Sequence, residues 1–133
     1  MLNFKNKRKL ITLAMFVVFT ISSSIFVFAT AGSFSSTYDM TGGLYSRDIA
    51  NVGDNAVFTV SVTPTLGLYG SYIDLTLQKS VFLGWSNLNY SSVKSWEWDS
   101  TTMNGTTAGT YRIYYRNWTG QQFTGGTTIS WSK

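Results

Sequence analysis

Short runs in which apolar and polar side chains alternate constrain the fold of this chain more than any other feature. Residues 58–63, 73–78 and 111–116 each carry apolar side chains at every second position. A period of two places those side chains on one face of a strand, whereas a helix needs a period near 3.6. No segment after the N-terminal apolar stretch sustains the helical period. The chain is therefore expected to bury one face of each strand.

The spacing of the runs predicts six to eight short strands joined by turns rich in Gly and Asn. This pattern is typical of an all-β domain, and we expect a small antiparallel β-sandwich of jelly-roll or immunoglobulin-like type, with a small barrel as the alternative. Residues 93–99 are predicted as one strand, residues 81–85 as a short buried strand or the connection into one, and residues 64–70 and 100–109 as turns or loops. Tyr111, Ile113 and Tyr115 are predicted core residues.

The first 31 residues resemble a secretory signal and predict an N-terminal signal helix. A basic cluster at residues 5–9 precedes an apolar run at residues 10–28, and Ala29-Thr30-Ala31 supplies small residues for cleavage after Ala29 or Ala31. Residues 32–133 are then one secreted domain. The alternative is an uncleaved membrane anchor, because the apolar run is nearly long enough to span a bilayer. We expect membrane contact only through this segment.

Removing the signal changes the charge balance. The chain has ten Lys and Arg against six Asp and Glu, and four of the cations are Lys5, Lys7, Arg8 and Lys9. Ten minus four leaves six cations, so the remaining domain is formally neutral. Nucleic-acid binders and cationic membrane-disrupting peptides need clustered positive charge, so both classes are disfavoured. The chain also has no cysteine, which favours an exporting Gram-positive bacterium over a disulfide-rich animal domain.

The residue types present exclude several kinds of catalysis. The chain contains neither His nor Cys, which removes Ser-His-Asp and Cys-His mechanisms and zinc sites built on those ligands. A carboxylate pair, Glu97 and Asp99, is the remaining catalytic option, and acids on an exposed strand are more often solvated or ion-paired. We therefore expect no enzyme activity and no cofactor. Calcium is weakly indicated by the N-terminal acids Asp39, Asp48 and Asp54, which lack the usual loop spacing.

Aromatic residues carry the one specific hypothesis about binding. Trp96 and Trp98 alternate with polar residues, so they form either the core face of a strand or an exposed platform flanked by Lys94. An exposed indole can stack on the C–H face of a sugar ring. Arg112, Tyr114 and Arg116 are predicted to form a second mixed face that supplies hydrogen bonds.

Two functions from different classes follow from these features. The first is a secreted, non-catalytic binding module for cell-wall or another extracellular glycan, with Trp96, Trp98, Lys94, Arg112, Tyr114 and Arg116 as its candidate ligand-binding residues. The alternative is a secreted toxin, bacteriocin-like factor or matrix protein that self-associates or binds a protein partner through unpaired sheet edges. Dependence of binding on a glycan separates the two.

Overall fold

The computed structural model describes residues 30–133, which form two antiparallel β-sheets packed face to face. The strands of this part of the chain are β1 (Ala31–Met40), β2 (Gly43–Tyr45), β3 (Ile49–Val52), β4 (Val57–Leu66), β5 (Tyr72–Val81), β6 (Gly84–Lys94), β7 (Asp99–Asn104), β8 (Gly109–Arg116) and β9 (Phe123–Ser132). Within residues 30–133, no helix is long and apolar enough to cross a membrane. Apart from Thr30 and Ala31, the predicted signal segment lies outside the described residues.

Most sheet neighbours are distant in sequence. One sheet has four strands in the order β1-β9-β4-β7, and the other has five, in the order β2-β8-β5-β6 with β3 also pairing with β8. In residues 30–133 neither sheet closes on itself, so the all-β sandwich is confirmed and the barrel alternative is wrong. Each sheet instead ends in edge strands that hydrogen-bond on one side only.

The core is built from the alternating positions. The inner faces of β4, β5 and β8 bury Val60, Leu75 and Ile113 together with their neighbours two residues away. The predicted burial of Tyr111, Ile113 and Tyr115 is confirmed. Within residues 30–133, each strand contributes buried or partly buried apolar side chains to the core, and the buried ones form one cluster. This part of the chain therefore holds a complete core of its own.

The predicted strand over residues 93–99 is wrong. β6 ends at Lys94, residues 95–97 form a bend, and β7 starts at Asp99 in the opposite sheet. Buried and more exposed residues still alternate over residues 93–96, but Ser95 is buried by hydrogen bonds in the bend and not by strand pairing. Its hydroxyl donates to the Leu68 carbonyl at 3.0 Å, and its amide donates to the Ser71 carbonyl at 3.1 Å.

Three other predicted boundaries also differ from the structure. β4 continues through Pro64 to Leu66, with a register shift between these two residues, so the predicted turn starts later. β7 occupies the first half of the predicted loop over residues 100–109. Residues 81–85 are not a buried strand but the connection into the next strand, which was the other predicted alternative. Val81 ends β5, residues 82–83 form the turn and Gly84 starts β6. The side chains of residues 81–83 are exposed, and Trp85 is partly buried. Apolar character alone was a poor guide to burial there.

The start of β1 bears on the two predicted cleavage positions. Ala31 pairs with Ser132, and the Lys133 amide donates to the Thr30 carbonyl at 2.9 Å. Thr30 and Ala31 therefore take part in the described β-structure, and cleavage after Ala29 or Ala31 stays a prediction.

The outer faces of the two sheets differ in chemistry. On the four-stranded sheet, neighbouring outward positions are mostly hydroxyls, as in the row formed by Ser35, Thr128, Ser61 and Ser100. Ser35 and Thr128 hydrogen-bond to each other at 2.8 Å. Aromatic and cationic side chains are concentrated instead on the outer face of the five-stranded sheet, which therefore holds the candidate site.

Candidate functional site

The outward positions of β5 and β8 lie opposite each other. Asp74 pairs with Arg116, Thr76 with Tyr114 and Gln78 with Arg112. Because β5 and β8 alternate with the same phase, burying Ile113 and Leu77 inside forces these polar residues outward together. The three predicted β8 residues therefore share one surface.

An open groove of about 500 Å³ crosses this surface. Tyr90 of β6, Tyr114 of β8 and Trp118 beyond β8 line it, together with Asp74 and Arg116. Trp118 and Tyr90 are 71% and 68% exposed, so their rings face solvent. The volume lies in the range of small-molecule sites, which combine apolar walls with a few oriented polar groups. This groove is the candidate binding site.

Trp118 is held in place by two contacts. Its indole nitrogen donates to Asp74 Oδ2 at 2.9 Å, and the Arg116 guanidinium carbon lies 4.3 Å from its ring centroid. The turn that carries it is ordered by Asn117, whose side-chain oxygen accepts from the Thr119 amide at 2.9 Å. A cation stacked on an indole is attracted by the ring quadrupole. The ring is therefore pre-positioned with one face available to a ligand.

Arg116 has donors that the protein does not use. Its cross-strand neighbour Asp74 bonds Trp118 instead, and no ion pair to Arg116 occurs among residues 30–133. Its Nε atom is buried without a hydrogen-bond partner in this part of the chain. A guanidinium presents five N–H donors in a planar fork, so Arg116 can donate to an acceptor brought into the groove.

A second row of stacked side chains continues the surface toward the end of β5. The Arg112 guanidinium carbon lies 3.9 Å from the Tyr45 ring centroid and 4.0 Å from that of Trp85. Arg112 Nε donates to Gln78 Oε1 at 2.7 Å. Tyr45 also packs on Tyr114, with ring centroids 4.7 Å apart. The groove wall is thus supported by a rigid stack.

Gly43 makes room for Tyr114. A Cβ atom at Gly43 would lie 2.2 Å from the Tyr114 hydroxyl oxygen, so only glycine lets this ring cross β2 without moving. The neighbouring strand thereby sets the orientation of one wall of the groove.

The predicted platform of Trp96 and Trp98 differs from the observed arrangement, because the two residues lie in the bend rather than on one strand face. Trp96 is half-buried and packs against Tyr69 and Tyr72, with ring centroids 5.2 and 5.5 Å away. Trp98 is 66% exposed and does not line the groove. Lys94 lies opposite Tyr72 in the β5–β6 pair, beyond the groove. The structure thus separates these residues from Arg112, Tyr114 and Arg116.

The acids of this bend have structural partners. Glu97 Oε1 accepts from Lys94 Nζ at 2.6 Å, and this hydrogen bond raises the pKa of Lys94 above its usual value. Asp99 Oδ2 accepts from the Lys94 amide, and its Oδ1 accepts from the Ser100 amide, each at 2.9 Å. The two carboxylates therefore secure the crossing from β6 to β7, and they do not lie on one strand as expected.

The N-terminal acids do not converge either. Asp39 accepts from Gln122 Nε2 at 2.8 Å, and Asp54 accepts from the Ala108 amide at 2.6 Å. Within residues 30–133, no group of three or more His, Cys, Asp or Glu side chains could hold a metal ion.

Sequence reasoning missed Tyr90, Trp118, Asp74, Tyr45 and Trp85. Asp74 was a polar residue of a predicted strand, and Trp85 lay in the segment predicted as a short buried strand or the connection into one. Their places on the outer face of the sheet depend on the pairing of β5 with both β6 and β8. The alternation reports which face a residue occupies and not which strand lies beside it. Trp118 lies two residues beyond the last residue of β8, and only the strand register shows that it lies opposite the start of β5.

Comparison with known proteins places the chain in no family, since no protein-family model and no curated protein matches it. Solved structures with similar folds include a Yersinia pseudotuberculosis-derived mitogen, with a TM-score of 0.47 and 11% identity over 77% of this chain and 84% of that one. A Bacillus endospore appendage structure, from a family of disulfide-linked pili, gives 0.46 and 11% over 77% and 86%. A structure of PirA gives 0.43 and 12% over 77% and 94%. At TM-scores this low, the likenesses carry no argument about function.

Proposed function

We propose that this protein is a secreted, non-catalytic binding module that holds an extracellular glycan in the groove between Tyr90, Tyr114 and Trp118. The observation that carries the proposal is the combination of exposed aromatic walls with oriented polar groups on one rigid sheet face. Cell-wall polysaccharide is the ligand class we expect.

The chemistry of the groove fits sugar rings. Each pyranose ring presents a C–H face that packs on an aromatic ring and an edge of hydroxyls that needs hydrogen-bond partners. Trp118 and Tyr90 offer the first, and Asp74, Arg116 and Ser92 line the same groove and offer the second. Because Trp118 is already ordered by Asp74 and Arg116, little side-chain entropy is lost on binding.

The contacts of the groove support binding without catalysis. Asp74 is the one carboxylate among its lining residues, and its Oδ2 already accepts the indole proton of Trp118. Glycoside hydrolysis generally needs two carboxyl groups facing each other across the bond that breaks. Secretion rests on the N-terminal segment, whose basic cluster, apolar run and small residues are typical of an export signal.

The test is retention of residues 30–133 on purified cell walls, chitin and cellulose, with soluble fragments of each as competitors. We expect retention on one polysaccharide that its own fragments abolish. Trp118→Ala should weaken that binding about tenfold or more, equivalent to about 1.4 kcal/mol, because one stacking face is lost.

Trp98→Ala is the matched control, since Trp98 is a similarly exposed tryptophan outside the groove. It should leave retention unchanged. Equal losses in both variants, or retention that no soluble fragment competes, would contradict a glycan site in this groove.

Self-association is the second candidate, and the edge strand β1 favours it. β1 is ten residues long, pairs only with β9 within residues 30–133, and carries one charged residue, Asp39. Long uncharged edges are templates for strand pairing. Sedimentation at increasing protein concentration tests this candidate: concentration-dependent assembly that Ser35→Lys suppresses supports it, and a monomer at every concentration contradicts it.

A further inference from the structure

The turn between β5 and β6 exposes two large apolar side chains at its tip. Phe82 and Leu83 are 93% and 90% exposed, and Val81 beside them is half exposed. β5 makes its last observed pair with β8 at Lys79, so the tip hairpin, residues 80–85, is paired only within itself. It therefore projects from the sheet as a two-stranded finger.

The fold does not require apolar residues at this tip. Tight hairpin turns favour Asn and Gly because they need positive φ angles. Here neither central residue, Phe82 or Leu83, has a positive φ, since Asn51 and Asn55 are the non-glycine residues of residues 30–133 that do. A positive φ of 146° falls instead on Gly84, which follows the turn. Phe82 and Leu83 thus serve neither the turn geometry nor the core. Exposed side chains of this kind mark an interaction surface.

We propose that the tip hairpin inserts into the interface of an anionic lipid bilayer and docks the domain on a membrane. Residues change along the finger in the order that a membrane interface requires. Phe82 and Leu83 lie at the end, Trp85 lies opposite Ser80 two residues behind Leu83, and Lys79 follows. Tryptophan is enriched at the depth of lipid headgroups, and cations attract anionic headgroups.

The dimensions of the finger agree with this depth. Lys79 is three residues from Phe82, or about 10 Å along an extended strand. Interfacial elements bury their apolar face about 5–10 Å into the boundary between headgroups and acyl chains. Lys79 and the Arg112 guanidinium beside Trp85 then lie at the level of the phosphates.

The charge around the finger is complementary to an anionic surface. No acidic residue occurs between Asp74 and Glu97 in the sequence, so the hairpin itself carries only Lys79 near its tip. Lys79 Nζ donates to the Thr107 hydroxyl of the neighbouring loop, which leaves its charge unpaired. Asp54 lies near the same loop, where the Ala108 amide donates to its carboxylate at 2.6 Å. On the hairpin itself, the charged side chain nearest the apolar tip is therefore a cation, Lys79.

The test is co-sedimentation of residues 30–133, which hold a complete core, with vesicles of phosphatidylcholine alone and of equimolar phosphatidylcholine and phosphatidylglycerol. Cooperative thermal unfolding first verifies that each variant is folded. We expect retention on the anionic vesicles, weakened about tenfold or more in the double variant Phe82→Ser/Leu83→Ser, since both apolar side chains leave the bilayer. Leu66→Ser, a half-exposed apolar residue of β4, is the matched control and should not change retention.

Two further readouts separate insertion from other causes. Lys79→Gln should lower retention on the anionic vesicles and not on pure phosphatidylcholine. Brominated lipids should quench tryptophan fluorescence in the wild type and much less in Trp85→Phe. Absence of retention on anionic vesicles, equal retention of the tip variant, or a dimer that the tip variant abolishes without any lipid binding would overturn the proposal.

Discussion

Two buried tyrosines, Tyr38 and Tyr115, are expected to make this domain less stable at alkaline pH. Tyr115 is 1% exposed on the inner face of β8, and its hydroxyl lies 2.9 Å from Thr127 Oγ1. Because Thr127 donates its own proton to the Ser61 carbonyl at 3.1 Å, Tyr115 must be the donor of this bond. Burial raises the pKa of Tyr115 to about 12 from the ordinary 10.0; the contact with Thr127 opposes this rise in part, and the nearby Tyr38 adds to it.

The direction of the pH effect on stability follows from which state loses its phenolic proton first. Between pH 10 and 12 the unfolded chain has lost the phenolic proton and the folded protein still holds it, so stability falls as pH rises through this window. One pKa unit corresponds to about 1.4 kcal/mol, so a rise of about two units removes about 3 kcal/mol of unfolding free energy by the top of the window. Tyr115 thus contributes a stability that is complete below about pH 10 and is lost progressively as the pH rises to about 12.

The assay is urea unfolding followed by tryptophan fluorescence at about pH 8 and at about pH 11, halfway through the window. Tyr115→Phe should lose about 1 kcal/mol at the lower pH, where its hydrogen bond is missing. Between the two pH values it should lose clearly less stability than the wild type. Tyr69→Phe, an exposed tyrosine, is the control and should follow the wild type. An alkaline loss in Tyr115→Phe as large as that of the wild type would refute the reasoning.

Three other predictions concern close packing and the chain end. Gly67→Ala should destabilise the domain by about 1–3 kcal/mol in urea unfolding, because the new Cβ would lie 1.6 Å from the Ser95 carbonyl oxygen and the loop must shift. Gly43→Ala should weaken glycan retention with little loss of stability, since it displaces Tyr114; unchanged retention would contradict that role. Mass spectrometry of the exported protein should find Thr30 as the first residue, because Ala31 pairs with Ser132 in β1; a start at Gly32 would contradict this expectation.

The sequence predicted the faces of strands well and their neighbours poorly. Alternation in residues 111–116 correctly separated the buried Tyr111, Ile113 and Tyr115 from the outward residues. Once one face of a strand is buried, a period of two fixes which side chains point inward and which point outward. The same reasoning could not show that Tyr90 and Trp118 meet across β5 and β8. Strand order depends on contacts between distant segments, which a local pattern does not contain.

Two errors have local physical causes. The alternating sequence of residues 93–99 was misleading. Ser95 is buried in a bend by hydrogen bonds to the loop over residues 67–71, and not by pairing within a strand. Residues 81–85 are apolar, yet Phe82 and Leu83 are exposed. In that segment hydrophobicity reflects a feature of the surface, so the usual link between apolar runs and burial fails. The predicted binding residues therefore fall into two groups. Arg112, Tyr114 and Arg116 share the outer face of β8, whereas Trp96 and Trp98 lie in the bend, outside the groove.

The two proposed surfaces lie at opposite ends of one strand, which leads to a last prediction. Asp74, in the groove on β5, and Phe82, in the turn that follows β5, are eight residues apart, which is about 26 Å along an extended strand. A domain docked by its tip would therefore hold the groove clear of the bilayer, and the two ligands would not compete. Protein bound to anionic vesicles should take up a soluble glycan fragment with the affinity measured in the absence of lipid. Trp118→Ala should weaken the uptake about tenfold or more and leave vesicle binding intact. Phe82→Ser/Leu83→Ser should weaken vesicle binding and leave the affinity for the glycan fragment in solution unchanged. Displacement of the protein from vesicles by the glycan would show that the two surfaces overlap, and would contradict their placement at separate ends of the five-stranded sheet.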